Sequence, residues 1–325
     1  MTPLERALRE RIAAEGPLSV ETFMEACNAY YYATRDPFGA VGDFTTAPEM
    51  SQMFGEMVGA ALADCWRRSG APEYAAYAEL GPGRATLAAD ALRVLRAGRF
   101  SGEVHFVETS PVLRDAQKQA VPDAVWHETI DNLPDRPLLL TANEFLDALP
   151  IRQHVAGTER RVSGAAGGLA FDRDGEIVET SPVRDGAVRA IARKLVANGG
   201  VALLIDYGHS RSAPGDTLQA VRGHRFMPVL ADPGEQDLTS HVNFEAVASS
   251  AQEAGAVVTP VIGQGEWLIR LGIEARAQSL SRANPDRASD VQAALERLTG
   301  STQMGELFKV IAIHAPNWPT PGGFA

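Results

Sequence analysis

The sequence predicts an α/β protein built on a mostly parallel sheet of about seven strands, with helices on both faces. The first observation is that short apolar runs alternate with helical patterns between residues 74 and 150, and again after residue 187. Such alternation is typical of right-handed crossovers between parallel strands. The second is a glycine-rich turn, ELGPGRATL, between the first strand and a helix. Turns of this kind bring backbone N–H groups close to a bound nucleotide.

The individual elements follow from hydrophobic periodicity. Strands are predicted at residues 77–80, 104–108, 124–126, 138–142, 201–207, 257–262 and 308–315. Helices are predicted at residues 86–95, 111–119, 187–197 and 244–254. Between about 151 and 180, the segments GTER, SGAAGG and DRDGE break short alternating runs, which indicates inserted β-hairpins. Residues 1–70 read as an N-terminal helical region, and the proline-rich residues 316–325 as a loose tail.

Composition limits the classes of partner. The chain has 325 residues, 45% hydrophobic content and a formal charge of −11, which argues against nucleic-acid binding and favours a cationic partner. We find neither a membrane span nor a signal or transit peptide, so we expect a cytoplasmic protein. Its two cysteines lack the spacing of a zinc site or a disulfide framework, and no metal is expected. The oligomeric state is left open.

The glycine turn favours one cofactor class. Its third fingerprint position holds Thr86 where dinucleotide-binding turns have glycine, and no phosphate-binding P-loop motif occurs in the chain. Glu79 stands two residues before Gly81 and four before Gly83, where a carboxylate would repel a pyrophosphate and attract a cation. S-adenosylmethionine carries an ammonium and a sulfonium and no phosphate. We therefore predict that Glu79, Gly81 and Gly83 bind S-adenosylmethionine.

Two further segments extend this predicted cofactor site. Glu108 ends the second strand, where an acidic side chain binds ribose hydroxyls in nucleoside-binding α/β folds. Ile130 and Asp131 follow the third strand, where an adenine edge would be read. The alternative is that the two glycines form an ordinary tight turn and that Glu79 is a surface acid.

Five segments in a fixed order give a family resemblance. GDFTTAPEMSQMFGE, ELGPGRATL, ANEFLDALPIRQ, LLIDYGH and DLTSHVNF resemble the MidA family, over about residues 4 to 315. That family includes a mitochondrial arginine methyltransferase that assists assembly of respiratory complex I. The resemblance implies a class I, Rossmann-like, S-adenosylmethionine-dependent methyltransferase domain over residues 71–315. It also implies N-methylation of an arginine in a protein partner, with a complex I subunit as a candidate.

Two alternatives to this function stay open. One is a small-molecule methyltransferase that uses the same cofactor site. The other is an assembly chaperone that keeps the cofactor fold without turnover. Two departures from the family pattern bear on the choice, because Ala85 replaces the last glycine of GPGRGT and Asn243 replaces an aspartate in DLTAHVDF. The first substitution could crowd the cofactor, and the second removes a charge that could contact substrate.

The segment TANEFLDALP supplies the predicted substrate carboxylates. It closes the fourth strand, at the edge where open α/β sheets bind ligands. Paired acids can hold a guanidinium and take its proton. We assign Glu144 as the main substrate carboxylate, Asp147 as its partner and Asn143 as a contact to the methyl donor. The alternative is that Asn143 and Asp147 only shape the turn before Pro150.

Two further segments complete the predicted site. His241, in DLTSHVNF, is a candidate proton acceptor, with a purely structural histidine as the alternative. Asp237 is predicted to cap the helix that starts nearby, with Thr239 and Ser240 as alternative caps. In GDFTTAPE, Asp43 and Thr46 precede a helix and suggest a lid over the cofactor, with Thr46 as a cofactor contact. Capping of that helix alone would also explain both residues.

Overall fold

The computed structural model describes residues 1–34, 46–165 and 167–324. Within these ranges the α-helices, in chain order, are α1 Pro3–Glu15, α2 Val20–Thr34, α3 Ala47–Met50, α4 Gln52–Arg68, α5 Thr86–Ala97, α6 Pro111–Ala120, α7 Pro182–Asn198, α8 Phe244–Glu253, α9 Gln264–Arg270, α10 Ile273–Ala283, α11 Ala288–Thr299 and α12 Met304–Leu307. Two short 3₁₀ helices span Ile130–Asn132 and Pro285–Arg287.

The strands of the described ranges are short except in the central sheet. In chain order they are β1 Leu18–Ser19, β2 Ala76–Leu80, β3 Val104–Val107, β4 Val125–His127, β5 Leu138–Asn143, β6 Arg152–Val155, β7 Thr158–Glu159, β8 Arg161–Ala165, β9 Gly168–Phe171, β10 Ile177–Thr180, β11 Gly200–His209, β12 Gln219–Arg222, β13 Arg225–Met227, β14 Asp237–Thr239, β15 Val242–Asn243, β16 Val257–Val258, β17 Ile262–Gly263 and β18 Phe308–His314.

The central sheet runs in the order β16–β18–β11–β5–β2–β3–β4. In addition, β15 pairs with β11, and β17 pairs with β18. The strands from β11 to β4 are parallel. β18 lies antiparallel to β11, with Val201 opposite His314 and Tyr207 opposite Phe308. This confirms the predicted α/β class and its mostly parallel sheet. The carboxyl ends of β2, β5 and β11 meet at one edge, where such sheets bind ligands.

Helices cover both faces of this sheet because its strands are apolar on both sides. α4 and α5 pack on one face with the buried side chains of Phe54 and Leu87, and α7 and α8 pack on the other with Ile191 and Phe244. Gly59 lets α4 approach α5 closely, since a Cβ there would lie 2.6 Å from the carbonyl oxygen of Ala91. The two helix layers thus pack against the strands whose carboxyl ends form the site described below.

The N-terminal helices and the inserted strands form a third apolar cluster. Phe23 and Met24 of α2 pack there with Val162 of β8 and with Ala220 and Leu238 of the β12–β14 sheet. β1 also pairs with β8. The insertion contains the predicted hairpins, β6–β7 and β8–β9. This cluster therefore connects α2 with β14, both of which reach the site described below. The domain boundaries themselves stay a prediction.

Three features differ from the sequence prediction. Helices α9 to α11 lie in a segment for which no element was predicted. The strand predicted at 257–262 is split into β16 and β17, and Pro260, which lacks an N–H for the ladder, lies between them. Residues 316–324 are not loose, because Trp318 and Phe324 are buried in the core. Across the described ranges, no helix is long and apolar enough to cross a membrane.

Candidate active site

A cavity of about 510 Å³ opens at the carboxyl ends of β2, β5 and β11. Its wall combines the glycine turn, the end of β5, the start of α3 and one face of the β12–β14 sheet. The described residues that line it are Tyr32, Thr46, Pro48, Glu49, Glu79, Gly81, Pro82, Gly83, Arg84, Thr86, Leu87, Asn143, Glu144, Asp147, Tyr207, Gln219, Val221, Phe226, Asp237, Thr239, His241, Arg297, Leu307 and Phe308.

The glycine turn between β2 and α5 has an unusual backbone. Gly81, Gly83 and Ala85 have φ values of +60°, +55° and +63°. Glycine adopts this left-handed region readily, whereas alanine does so at a cost. A Cβ at Gly81 would also stand 3.0 Å from the ring of Phe145. The turn thus requires glycine at position 81 for both backbone conformation and space, and it leaves Ala85 strained.

Glu79 is a buried carboxyl group at the floor of the cavity. The hydroxyl of Tyr77 donates to it at 2.6 Å and lies 3.1 Å from the hydroxyl of Thr141. Burial raises the pKa of Glu79 to about 8. A cation placed in the cavity beside this group would favour its charged form. The residue is therefore suited to hold an ammonium group.

The end of β5 places Asn143 and Glu144 side by side. Asn143 donates through its side-chain amide to Glu144 at 3.2 Å. Its side-chain oxygen is buried and has no hydrogen-bond partner within the described residues. A donor from a bound ligand would satisfy that oxygen, because buried acceptors normally have partners. Glu144 itself has a φ of +49°, a strained backbone conformation for a non-glycine residue that is common at functional sites.

Glu144 and Asp147 face the same cavity and influence each other. The pKa of Glu144 is raised to about 8, first by burial and then by the negative charge of Asp147. Burial also raises the pKa of Asp147, while its interaction with the Tyr207 hydroxyl opposes that rise. Two buried acids that repel each other hold one shared proton more readily than two negative charges. The pair can therefore accept a proton from a bound cation.

The loop that carries Asp147 is fixed by two buried residues. Asp206 accepts hydrogen bonds from the backbone N–H groups of Leu146 and Asp147, at 3.0 and 3.1 Å. Arg184 donates to the carbonyl oxygen of Asp147 at 3.0 Å and to the hydroxyl of Ser240 at 2.6 Å. These bonds fix the Glu144–Asp147 segment against β11 and the segment before His241. Asp206 and Arg184 thus position the two acids, and neither of them lines the cavity.

One face of the β12–β14 sheet forms a wall of the cavity. In this sheet Gln219 lies opposite Thr239, and Val221 lies opposite both Asp237 and Phe226. All five of these residues line the cavity. The alternate residues Ala220, Leu238 and Met227 pack into the third apolar cluster instead, as the period of two in a strand requires. The sequence interpretation missed this wall.

Asp237 belongs to that wall and is not a helix cap, so its predicted role was wrong. It lies in β14 and accepts a 2.8 Å hydrogen bond from the hydroxyl of Tyr32. The cap of α8 is Asn243, whose side-chain oxygen accepts from the N–H groups of Glu245 and Ala246. Asn243 does not line the cavity. An aspartate at position 243 would cap the helix equally well, so the asparagine found here serves the same purpose.

His241 lies at the side of the cavity, next to Tyr207. The two rings meet edge to face with centroids 5.6 Å apart. The backbone N–H of His241 donates to the hydroxyl of Thr217 at 3.0 Å. Burial and then the neighbouring His209 lower the pKa of His241. The imidazole is therefore neutral at pH 7 and able to accept a proton.

The structure brings most of the sequence-predicted site residues together. The cavity is lined by Thr46, Glu79, Gly81, Gly83, Asn143, Glu144, Asp147 and His241. Thr46 precedes α3 without a side-chain cap hydrogen bond, so the capping alternative does not account for its hydroxyl. Asp43 and the rest of the predicted lid before Thr46 lie outside the described residues.

Glu108, Ile130 and Asp131 do not line this cavity. Glu108 accepts hydrogen bonds from the N–H of Ser110 at 2.8 Å and from Gln117 at 3.0 Å. Gln117 also donates to the carbonyl oxygen of Gly83 at 2.8 Å, which links Glu108 to the glycine turn. Ile130 is half-buried and Asp131 is exposed. The predicted ribose and adenine contacts of these three residues stay predictions.

A family of S-adenosyl-L-methionine-dependent methyltransferases matches residues 57–166 and 158–262 of the chain. The chain belongs to this methyltransferase family. A relative in Drosophila melanogaster, protein arginine methyltransferase NDUFAF7 homolog, is 34% identical over 98% of this chain and 88% of that protein. The Xenopus tropicalis protein arginine methyltransferase NDUFAF7 is 30% identical over 93% of this chain and 84% of that protein. Both relatives are named as mitochondrial proteins.

Solved structures agree with this family membership. A Burkholderia thailandensis protein crystallised with S-adenosyl-homocysteine is 27% identical, with a TM-score of 0.83 over 99% of this chain and 92% of that protein. The methyltransferase is thus an S-adenosylmethionine-dependent enzyme with the class I α/β fold. The cavity suits the amino acid part of this cofactor. The positive-φ turn leaves room beside the backbone, the buried Glu79 matches an ammonium group, and the Asn143 oxygen, which has no partner among the described residues, can accept a hydrogen bond.

The expectation of a cytoplasmic protein was wrong. It rested on the apparent lack of a targeting segment. The curated relatives from Drosophila melanogaster, Xenopus tropicalis and Mus musculus are all named as mitochondrial proteins, which contradicts it.

Proposed function

We propose that this methyltransferase N-methylates an arginine side chain of a protein partner. The observation that carries the proposal is the acidity of the cavity. Its lining contains five carboxylic acids against two arginines and one histidine, and the acids are Glu49, Glu79, Glu144, Asp147 and Asp237. Such a cavity favours cationic ligands. One acid suffices for the ammonium of the cofactor, and Glu49 already lies beside Arg84 and Thr86. We assign the remaining acids, Glu144, Asp147 and Asp237, to a second cation. A guanidinium is the cation whose planar fork best matches paired carboxylates.

The cofactor end of the cavity is the glycine turn. We assign Gly81, Gly83 and Glu79 to the amino acid part of S-adenosylmethionine, with Thr46 and Asn143 as further polar contacts. Glu108, Ile130 and Asp131 are assigned to the nucleoside part. Of these, Glu108 is linked to the glycine turn through Gln117. When bound, this cofactor supplies a methyl group on a positively charged sulfur.

The substrate end is formed by Glu144, Asp147 and Asp237. Asp237 contributes to the electrostatic field at Glu144, as Asp147 does. Carboxylates on both sides of a guanidinium hold it in one plane and concentrate its positive charge away from the attacking nitrogen. Transfer forms an N–CH₃ bond, breaks the S–CH₃ bond and releases one proton from the guanidinium. We assign that proton to Glu144, whose charged form a bound guanidinium favours, with Asp147 stabilising the shared charge and His241 as the next acceptor.

Two further points support this substrate class. The Drosophila melanogaster and Xenopus tropicalis relatives are named protein arginine methyltransferases. The five sequence segments that resemble the MidA family make a subunit of respiratory complex I the first partner to test. A protein substrate also suits a cavity whose rim carries Phe226 with 76% of its surface exposed.

The test uses an extract from a strain that lacks the gene, so that target arginines are unmethylated. The extract is incubated with purified enzyme and S-adenosylmethionine labelled in the methyl group, and its protein is hydrolysed to amino acids. We expect label in methylarginine. The Glu144→Gln variant, which keeps the side-chain volume, should bind the cofactor and yield no label. Label confined to lysine, histidine or the non-protein fraction would overturn the proposal.

A further inference from the structure

One face of the β12–β14 sheet lines the cavity and is called the substrate wall below, after the proposed function. The β12–β13 hairpin forms its outer rim. Its turn residues Gly223 and His224 have φ values of +56° and +61°, and Arg222 pairs with Arg225 across them. Positive φ at both central residues is the mark of a type I′ turn, whose twist matches that of the two strands. The hairpin therefore has one register, and β13 projects Phe226 over the cavity.

The two outer edges of the β12–β14 sheet differ. On β14 the side chain of Asn28 donates to the carbonyl oxygen of Leu238 at 2.8 Å and accepts from its N–H at 3.2 Å. Asn28 thus takes the place of a neighbouring strand. On β13, no strand pairs with the outer edge within the described part of the chain. Open strand edges are sites where another chain can add.

Phe226 is the centre of this open edge. In an antiparallel hairpin with a two-residue turn, the pair beside the turn exchanges both hydrogen bonds and the next pair exchanges none. Phe226 and Val221 form that next pair, so the N–H and C=O of Phe226 face outward. The ring is 76% exposed and lines the cavity mouth. A large apolar side chain beside outward-facing backbone groups indicates a contact surface for another polypeptide.

We propose that an extended segment of the protein substrate adds as a strand to the outer edge of β13 and directs its arginine into the cavity. This inference rests on the proposed arginine methylation. An added strand would lie about 4.8 Å from β13, and every second side chain would point to the same face as Phe226 and Val221. That face is the cavity wall. Main-chain bonds to Phe226 supply affinity, as in other strand-addition complexes.

The occupant is an extended polypeptide with an arginine, because the outward N–H and C=O of Phe226 match a strand backbone and the acidic cavity beside them matches a guanidinium. The wall runs from Asp237 through Val221 to Phe226 across three adjacent strands. An added strand takes the next position beyond β13, and its side chains on this face point to the side of the sheet that lines the cavity. The carboxylates of the cavity suit a guanidinium, as argued above.

The test uses synthetic peptides as probes. The parent is a capped heptapeptide of alternating threonine and valine with a central arginine. Two derivatives carry backbone N-methyl groups, one at the odd positions and one at the even positions. An added strand directs only every second N–H toward β13. We expect one derivative to raise the KM about fivefold and the other to match the parent, since a lost hydrogen bond costs about 1 kcal/mol.

Two variants at one position separate the ring from the backbone. Phe226→Ala removes the ring and keeps the N–H, whereas Phe226→Pro removes both, at an edge position where proline is tolerated. We expect Phe226→Pro to raise the KM about three- to tenfold above Phe226→Ala, with kcat and cofactor affinity equal in the two variants. N-acetyl-arginine methylamide, too short to reach the edge, should be methylated equally by both. Tyr74→Ala, which removes a 66% exposed ring elsewhere, is the matched control.

Each outcome decides between the hypotheses. Equal KM values for both N-methylated derivatives, or for Phe226→Ala and Phe226→Pro, would overturn the strand-addition model and leave arginine methylation standing. A parent peptide that is not methylated, while the extract assay yields methylarginine, would overturn it as well. If neither the peptide nor the extract yields methylarginine, the proposed function itself has failed. The peptide comparison in the wild-type enzyme stands even if Phe226→Pro does not fold.

Discussion

Tyr32 donates a 2.8 Å hydrogen bond to Asp237, and this bond joins helix α2 to the substrate wall of the cavity. Burial, followed by the charge of Asp237, raises the pKa of Tyr32 well above its ordinary value. The hydroxyl therefore keeps its proton and remains a donor throughout the physiological pH range. Helix α2 thus orients a carboxylate that the proposed reaction uses.

Replacing Asp237 by asparagine should lower the rate of methyl transfer about 10- to 100-fold, because a charge-assisted hydrogen bond to the guanidinium is lost. Cofactor affinity should stay within about twofold, since Asp237 is assigned to the substrate end. Tyr32→Phe keeps the carboxylate and loses only its donor, so its effect should be smaller. Steady-state kinetics with the arginine heptapeptide measures both. Wild-type rates for Asp237→Asn would remove this residue from the mechanism.

Cofactor affinity should depend on pH through Glu79. With a pKa of about 8 before the cofactor binds, Glu79 is mostly protonated at pH 6 and binds an ammonium only after it loses that proton. Affinity should therefore rise with pH between 6 and 7.5, by up to about tenfold per unit. Calorimetry in buffers of different ionisation enthalpy should detect the released proton. Glu79→Gln should weaken binding and remove that dependence. An unchanged slope in this variant would contradict the assignment.

Ala85→Gly should cost less stability than Ala88→Gly in the interior of helix α5. Both changes remove a buried methyl group and increase the entropy of the unfolded chain. At Ala85 these costs are offset by the relief of about 1–2 kcal/mol of backbone strain at a φ of +63°. We expect the free energy of unfolding, measured with urea, to change by less than about 0.5 kcal/mol for Ala85→Gly and to fall by about 1 kcal/mol or more for Ala88→Gly. Equal effects of the two changes would show that Ala85 is not strained.

Gln117→Leu should weaken cofactor binding about fivefold, because the variant removes the amide that joins Gly83 to Glu108 and leaves both acceptors buried. Lys118→Leu changes the exposed neighbour in the same helix and should have no effect. Titration of both variants with S-adenosyl-homocysteine provides the measurement. Wild-type affinity in Gln117→Leu would show that Glu108 and the turn act independently.

Much of the fold and part of the site could be predicted from local patterns. The strand and helix periodicities located the central sheet because its strands are buried on both faces and leave continuous apolar runs. Glu79, Gly81 and Glu144 were found because the carboxyl ends of parallel strands share one edge of the sheet. A polar residue at the end of a predicted parallel strand could therefore be placed at this edge, next to the polar residues that end the neighbouring strands.

The substrate wall could not be predicted in the same way. Tyr32, Val221, Phe226 and Asp237 come from separate segments, and only the packing of α2 and the insertion brings them together. Asp237 precedes a helix in sequence, so capping was the simplest interpretation. The C-terminal residues differ for a related reason, because the proline-rich composition gave no sign of the pocket that buries Trp318 and Phe324.

The most direct test of the central proposal compares two probes in one reaction. The heptapeptide with a central arginine and its lysine counterpart are mixed with S-adenosylmethionine and either wild-type enzyme or Glu144→Gln, and the products are measured by mass spectrometry. We predict that the wild type adds methyl groups to the arginine peptide alone and that Glu144→Gln adds none while still binding the cofactor. Methylation of the lysine peptide, or full activity of Glu144→Gln, would contradict the account.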